Sequence, residues 1–132
     1  MNVRLVLMLS LFGPLVAIAT LLGVIHTGWE SAVWAVFAVV CAGVLARQAP
    51  GKFFLHGFLT GFIAGAVAPL IQALFIDQYL AHNPRAADTM KSMPGVSPAV
   101  LVVIAAPLWG AVLGVAIGFL TWVWAKFTRP KP

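Results

Sequence analysis

Four apolar runs dominate the chain: Leu5–Ile25, Ala32–Ala46, Phe53–Ile76 and Pro98–Ala125. A helix crosses the hydrocarbon core of a bilayer with about 20 predominantly apolar residues. Within that core, irregular backbone or an open sheet edge facing lipid has nothing to bond to. Runs of this length and number therefore restrict the chain to helices that satisfy their own backbones. The second run is the shortest. It reaches across only when counted from Trp29, with Trp29 and Trp34 at headgroup level, where indole rings prefer to lie. Helices are expected over about 5–25, 30–46, 53–76 and 98–125, forming one domain over 1–132. The fold class that follows is all-α, an integral membrane protein with four transmembrane helices in an antiparallel bundle.

Composition excludes the soluble alternative. Of 132 residues, 62% are hydrophobic and 8% charged, whereas a soluble domain carries about 25% charged residues. Four spans also leave no room for a soluble catalytic domain. The formal charge of +5 comes from eight Lys and Arg against three acidic residues. Without a basic stripe interleaved with aromatics, nucleic acid is not an expected partner. The expected partners are the lipid bilayer and either a second copy of the chain or another membrane protein. The single cysteine, Cys41, lies inside an apolar run and reads as a small packing residue.

The start of the chain resembles a secretory signal, with Ala17-Ile18-Ala19 as an A-x-A cleavage pattern. The apolar run continues past it to Ile25, which favours an uncleaved signal anchor. Orientation follows from Lys and Arg, which are enriched on cytoplasmic flanks. Arg4, Arg47, Lys52, Lys126, Arg129 and Lys131 collect on one side, while Arg85 and Lys91 fall on the other. Both termini and the Arg47–Lys52 turn are thus expected in the cytoplasm, with the 77–97 loop outside together with Glu30, Asp77 and Asp88. Trp29, Trp34 and Tyr79 are expected near the outer interface, and Phe53, Phe54, Trp122 and Trp124 near the inner one. In the outer loop, Asn83-Pro84 reads as an N-cap followed by proline at the first helical position. A short interfacial helix over 85–93 is expected from it, with Met90 and Met93 on one side.

Small residues recur every four positions in the last two spans. The third contains Gly57, Gly61 and Gly65, with Pro69 one step on; the fourth contains Gly110, Gly114 and Gly118. Such stripes let backbones approach closely in lipid, where no hydrophobic effect drives helices together. A glycine zipper is expected between the third and fourth helices, Gly57 opposite Gly118 and Gly65 opposite Gly110. Pro69 and Pro107 then fall at similar depth as kink positions, each freeing one carbonyl. Milder stripes occur at Ser10, Gly13 and Ala17 and at Ser31, Ala35, Ala38 and Ala42. Gln72 and Thr121 share the glycine faces and read as interhelical hydrogen-bonding groups.

No Asp, Glu, Lys or Arg is expected in the middle of a span, where ion-coupled carriers and proton pumps usually keep one. Small multidrug exporters, similar in length and span number, depend on a glutamate in the first helix, and none is present here. A membrane protease would need a nucleophile with a base at its depth. Ser10 lacks one, His56 lying at the membrane edge of another helix. No catalytic residue, enzymatic activity or cofactor is expected.

The run from His56 to Gly65, Pro69 and Gln72 after it, the polar outer loop and the helix of Gly110, Gly114 and Gly118 ending in Lys126 resemble a type of small four-span bacterial inner-membrane family without known function. The resemblance covers the second half of the chain. It implies a bacterial inner-membrane location and this topology, without an activity. The expected role is structural, assembly or accessory. The alternative is a small oligomeric channel or facilitator for a small solute.

One candidate site remains. His26 and Glu30 flank the first outer link, and Asp77 and His82 open the second outer loop. Two imidazoles and two carboxylates on one surface suit zinc or a related divalent metal. The plainer reading is four solvated interfacial groups.

Overall fold

The computed structural model describes residues 1–129, apart from the side chain of Thr27. Among these residues there are seven helices and no strand: α1 Val3–Ser10, α2 Phe12–Leu21, α3 Thr27–Gln48, α4 Phe53–Leu74, α5 Ile76–His82, α6 Pro84–Lys91 and α7 Pro98–Thr128. Four stretches are long and apolar enough to cross a membrane: Val3–Leu21, comprising α1 and α2, then Gly28–Gln48, Phe53–Leu74 and Pro98–Thr128. The chain is therefore a multi-pass, all-helical membrane protein. Lys131 lies outside the described residues.

The first span is shorter than its apolar run, and it is interrupted. Pro14 has no N–H to offer the Ser10 carbonyl, which helps separate α1 from α2 at Leu11. The Ser10 hydroxyl also bonds back to the Val6 carbonyl at 2.7 Å, a contact that tends to bend helices. The run to Ile25 does not stay helical because Gly23 takes a left-handed φ of +73°. The Gly23 N–H donates to the Thr20 carbonyl at 3.2 Å, and the Val24 N–H to the Ala19 carbonyl at 2.9 Å. This paired ending satisfies the last carbonyls of α2.

Helix α3 begins at Thr27 rather than near residue 30, so most of the expected polar link is its first turn. Its inward face is Trp34, Phe37, Ala38, Cys41, Ala42 and Leu45. Ser31 and Ala35, expected on a small-residue stripe, are exposed. Trp34, assigned from the sequence to the headgroup level, is instead buried in the core, edge-on to Phe12 and Phe37. The tight turn after α3 places Lys52 at a φ of 48°.

Helices α4 and α7 make the most extensive contact in the molecule. A Cβ added at Gly57 or at Gly61 would stand 2.7 Å from the Cα of Gly118 or Gly114, and one at Gly65 would stand 3.0 Å from that of Gly110. All six glycines are buried. Thr121 is buried on the same face but donates to its own helix, to the Ile117 carbonyl at 2.7 Å, rather than across the interface. Pro69 and Pro107 lie within unbroken helices. The first span packs on the other side of α4, with Gly13 against the Ala64 backbone. Helix α3 covers part of α7 and α4.

The 77–97 segment holds more structure than the single short helix expected over 85–93. Phe75, at φ −121° and ψ 45°, separates α4 from α5, and α6 follows from Pro84 to Lys91. Asn83 occupies the N-cap position of α6, but its side-chain amide donates to the Tyr79 carbonyl at 2.9 Å instead of capping. Met93 falls beyond α6, so it does not share a helical face with Met90.

Candidate functional site

Two clusters of polar groups lie inside the bundle, one at each end. Apart from them, the Ser10 hydroxyl reaches the Thr60 carbonyl at 3.3 Å, while the buried Thr60 hydroxyl has no partner among the described residues. At the end where α2 stops and α3 starts, the Gln72 amide donates to the Thr20 hydroxyl at 3.0 Å, and that hydroxyl donates to the Ala17 carbonyl at 2.8 Å. The half-buried Glu30 carboxylate turns toward the same Gln72 amide and toward the Trp34 indole. An amide carries two N–H donors, so Gln72 can serve Thr20 and Glu30 together. Three spans are thereby tied at one level. Tyr79, on α5, is buried beside them, and burial, with the Glu30 carboxylate adding to it, pushes its hydroxyl up to about 12. Gln78 donates to the Leu21 carbonyl at 3.1 Å, tying α5 to the end of α2.

The four residues proposed for a metal are distributed differently from the sequence expectation. Glu30 faces inward with Gln72 and Trp34 as partners. His82 has its ring over Gly23, where a Cβ would lie 2.6 Å from its Cδ2, and its Nδ1 is 3.1 Å from the Gln78 carbonyl. His26 precedes α3 as an exposed N-cap residue that makes no side-chain capping bond, and Asp77 is exposed in the first turn of α5. Among the described residues, no group of three His, Cys, Asp or Glu is placed to hold a metal ion. The difference starts with the helix boundary: once α3 begins at Thr27, Glu30 rides on a helix whose rotation points it at Trp34, one turn on.

At the opposite end, His56 is fully buried. Its Nε2 accepts from the Asn2 N–H at 2.9 Å, and its Nδ1 lies 3.0 Å from the Lys52 carbonyl. These two contacts fit a neutral ring that donates at Nδ1. Arg129 closes the other side of this end. Its Nε donates to the Ala46 carbonyl at 2.9 Å, and its Nη2 to the carbonyls of Arg47 and Ala49 at 3.0 and 2.6 Å. Its guanidinium also lies 4.6 Å from the centre of the Phe53 ring. It is the cap of α3, supplied from the far end of the chain, and it places positive charge where the helix dipole is negative.

Sequence reasoning read His56 as an edge residue and Arg129 only as a topological charge. A cap or a latch closed over more than fifty residues leaves no local pattern. The inward turn of Glu30 did leave one, its i,i+4 spacing to Trp34, which becomes readable once the helix start is known. No family model matches the chain, and neither does any curated protein or solved structure.

Proposed function

We propose that the protein is a four-span bacterial inner-membrane bundle, antiparallel, with its third and fourth spans joined by a glycine zipper and both termini in the cytoplasm. Its role is structural, assembly or accessory, and it catalyses no reaction. The observation that supports this reading is the filling of the α4–α7 interface. Both glycine faces are buried, and backbone atoms of the partner helix occupy the space of every missing side chain. A pathway for a solute needs a continuous polar face open to water. Here Ser10, Thr20, Gln72 and Thr121 are buried, and each bonds to backbone or to another side chain. The Thr60 hydroxyl lacks a partner among the described residues but is fully enclosed, with no exposure to water. The resemblance of the second half of the chain supports the bacterial location, and the division of Lys and Arg supports the orientation.

Two measurements test the reading. Proteoliposomes carrying the purified protein should retain small solutes as well as empty liposomes do; a leak proportional to protein content favours the oligomeric channel instead. In a Cys41→Ser background, a thiol placed at Ser92 should react with an impermeant reagent in intact cells, whereas one at Thr128 should not. Equal labelling overturns the orientation.

A further inference from the structure

A polar-apolar boundary lies on the surface between α3 and α7, at the same end as Arg129. A groove of about 300 Å³ opens there, lined by Val39, Val40, Gly43, Val44, Arg47, Gln48 and Trp124. The lining is ordered along the helix. Valines and the glycine line its upper part, and Arg47 and Gln48 close its end about 12 Å farther along the α3 axis. Gly43 keeps the floor low, since a Cβ there would touch the Trp124 ring at 3.4 Å. An amphipathic Trp ring beside a guanidinium marks the level where hydrocarbon gives way to headgroups.

The charge at this end is unbalanced. Arg4, Arg47, Lys52, Lys126 and Arg129 all lie near it, whereas Glu30, Asp77 and Asp88 belong to α3's first turn, α5 and α6. Among the described residues the one ion pair joins Lys91 and Asp88, both on α6. Lys126 is held over the Trp122 ring at 3.7 Å. Arg47 lines the groove and, among the described residues, is in no ion pair with a carboxylate. The C-terminus of α3 would by itself repel an anion at this spot. Arg129 removes that obstacle, because its guanidinium covers the carbonyls of Ala46, Arg47 and Ala49.

We propose that this groove binds one anionic phospholipid, its phosphate at Arg47 and Gln48 beside Trp124 and its acyl chain along Val44, Val40 and Val39. A basic pocket between transmembrane helices with an apolar continuation has the shape and charge of such a ligand. A free phosphate ion would leave the valine floor unused, and a zwitterionic lipid would bring its own cation against Arg47. The inference rests on the reading of the chain as membrane-embedded, but not on which side of the membrane this end faces.

Native mass spectrometry of the protein released from detergent, titrated with phosphatidylglycerol or phosphatidylcholine, tests it. One phosphatidylglycerol should be retained in preference to phosphatidylcholine. Arg47→Gln should weaken that preference roughly fivefold. Gly43→Leu, which fills the floor, should reduce binding of the tailed lipid, while Lys91→Gln at the opposite end should leave it unchanged. Melting temperature in detergent identifies any variant that fails to fold, and Arg47→Gln, exposed at a helix end, is the variant expected to keep the parent's stability. Equal retention of both lipids, an unchanged preference in Arg47→Gln, or full competition by inorganic phosphate overturns the proposal. A chain that does not insert into bilayers overturns the membrane reading along with it. One that inserts and shows no preference overturns the lipid site alone.

Discussion

The two flanks of the bundle solve the same packing problem in opposite ways. Between α4 and α7 the side chains are removed and the backbones meet. Between the first span and α3 the side chains are large: Phe12 stacks on Phe37 with centroids 4.0 Å apart, and Trp34 is edge-on to both rings. Rings of this size hold the two backbones apart. The result is a lipid-facing groove of about 760 Å³, lined by Met8, Leu11, Leu15, Trp29, Val36 and Val40 among others. In lipid the apolar surface of either flank has no water to escape, so only packing and hydrogen bonds distinguish them. Small residues give a closed seam, and aromatic residues give a contact with room beside it.

The seam should therefore be the more fragile side to enlargement. Gly61→Leu or Gly114→Leu drives a side chain into backbone atoms already within 2.7 Å of the new Cβ. The expected loss is on the order of 1–3 kcal/mol, as for overpacking of a dense core. Unfolding in detergent measures it. Val36→Leu, on the exposed wall of the groove, should change stability by less than about 0.5 kcal/mol. Equal effects at Gly61 and Val36 would mean that the flanks do not differ in the way described.

Truncation should reverse the order of sensitivity, because the seam has little left to remove. Phe12→Ala deletes the ring that bridges the first span to both Phe37 and Trp34. A soluble core would also lose the transfer energy of the ring, but here lipid takes its place. The remaining loss is the aromatic contact, about 0.5–1.5 kcal/mol. Thermal unfolding should show that decrease, and Phe12→Leu should recover part of it. A loss as large as that of Gly61→Leu would show that the aromatic flank carries the bundle.

The contrast was only half legible in the sequence. Glycines every fourth residue on two long apolar runs put Gly57, Gly61 and Gly65 on one helical face, and that face is the buried one. Their spacing is a property of the helix alone. The aromatic flank was not legible, because Trp34 in an apolar run looks the same whether it faces headgroups or Phe12. Gly23 ended α2 four residues before the apolar run stopped, since hydropathy does not register a left-handed φ. The start of α3 at Thr27 had the wider consequence: with the link read as a loop from His26, Glu30 became a surface ligand instead of a partner of Gln72. The lesson concerns distance in the chain. Periodicity recovers what a helix does to itself, and it misses Asn2 on His56 or Arg129 on Ala46, where the two partners are far apart.

The smallest expected effect tests whether Tyr79 belongs to the Glu30 cluster at the end of the aromatic flank where α3 begins. Tyr79 is the only tyrosine of the chain, so its ionisation can be followed alone by tyrosinate absorbance. Burial first, and then the neighbouring Glu30 carboxylate, favour its neutral form and raise its titration to about 12. An unfolded chain ionises its tyrosine near about 10. The unfolded state therefore releases its proton first as pH rises. The stability contributed by the neutral hydroxyl is whole below about 10 and is lost between there and about 12. Absorbance in detergent should show a midpoint near the upper value in the folded protein and near the lower one after unfolding. Glu30→Gln removes the like charge but leaves the burial, so it should move the folded midpoint part of the way down. A midpoint that does not respond to Glu30→Gln would separate Tyr79 from the cluster and leave burial alone as the cause of its raised titration.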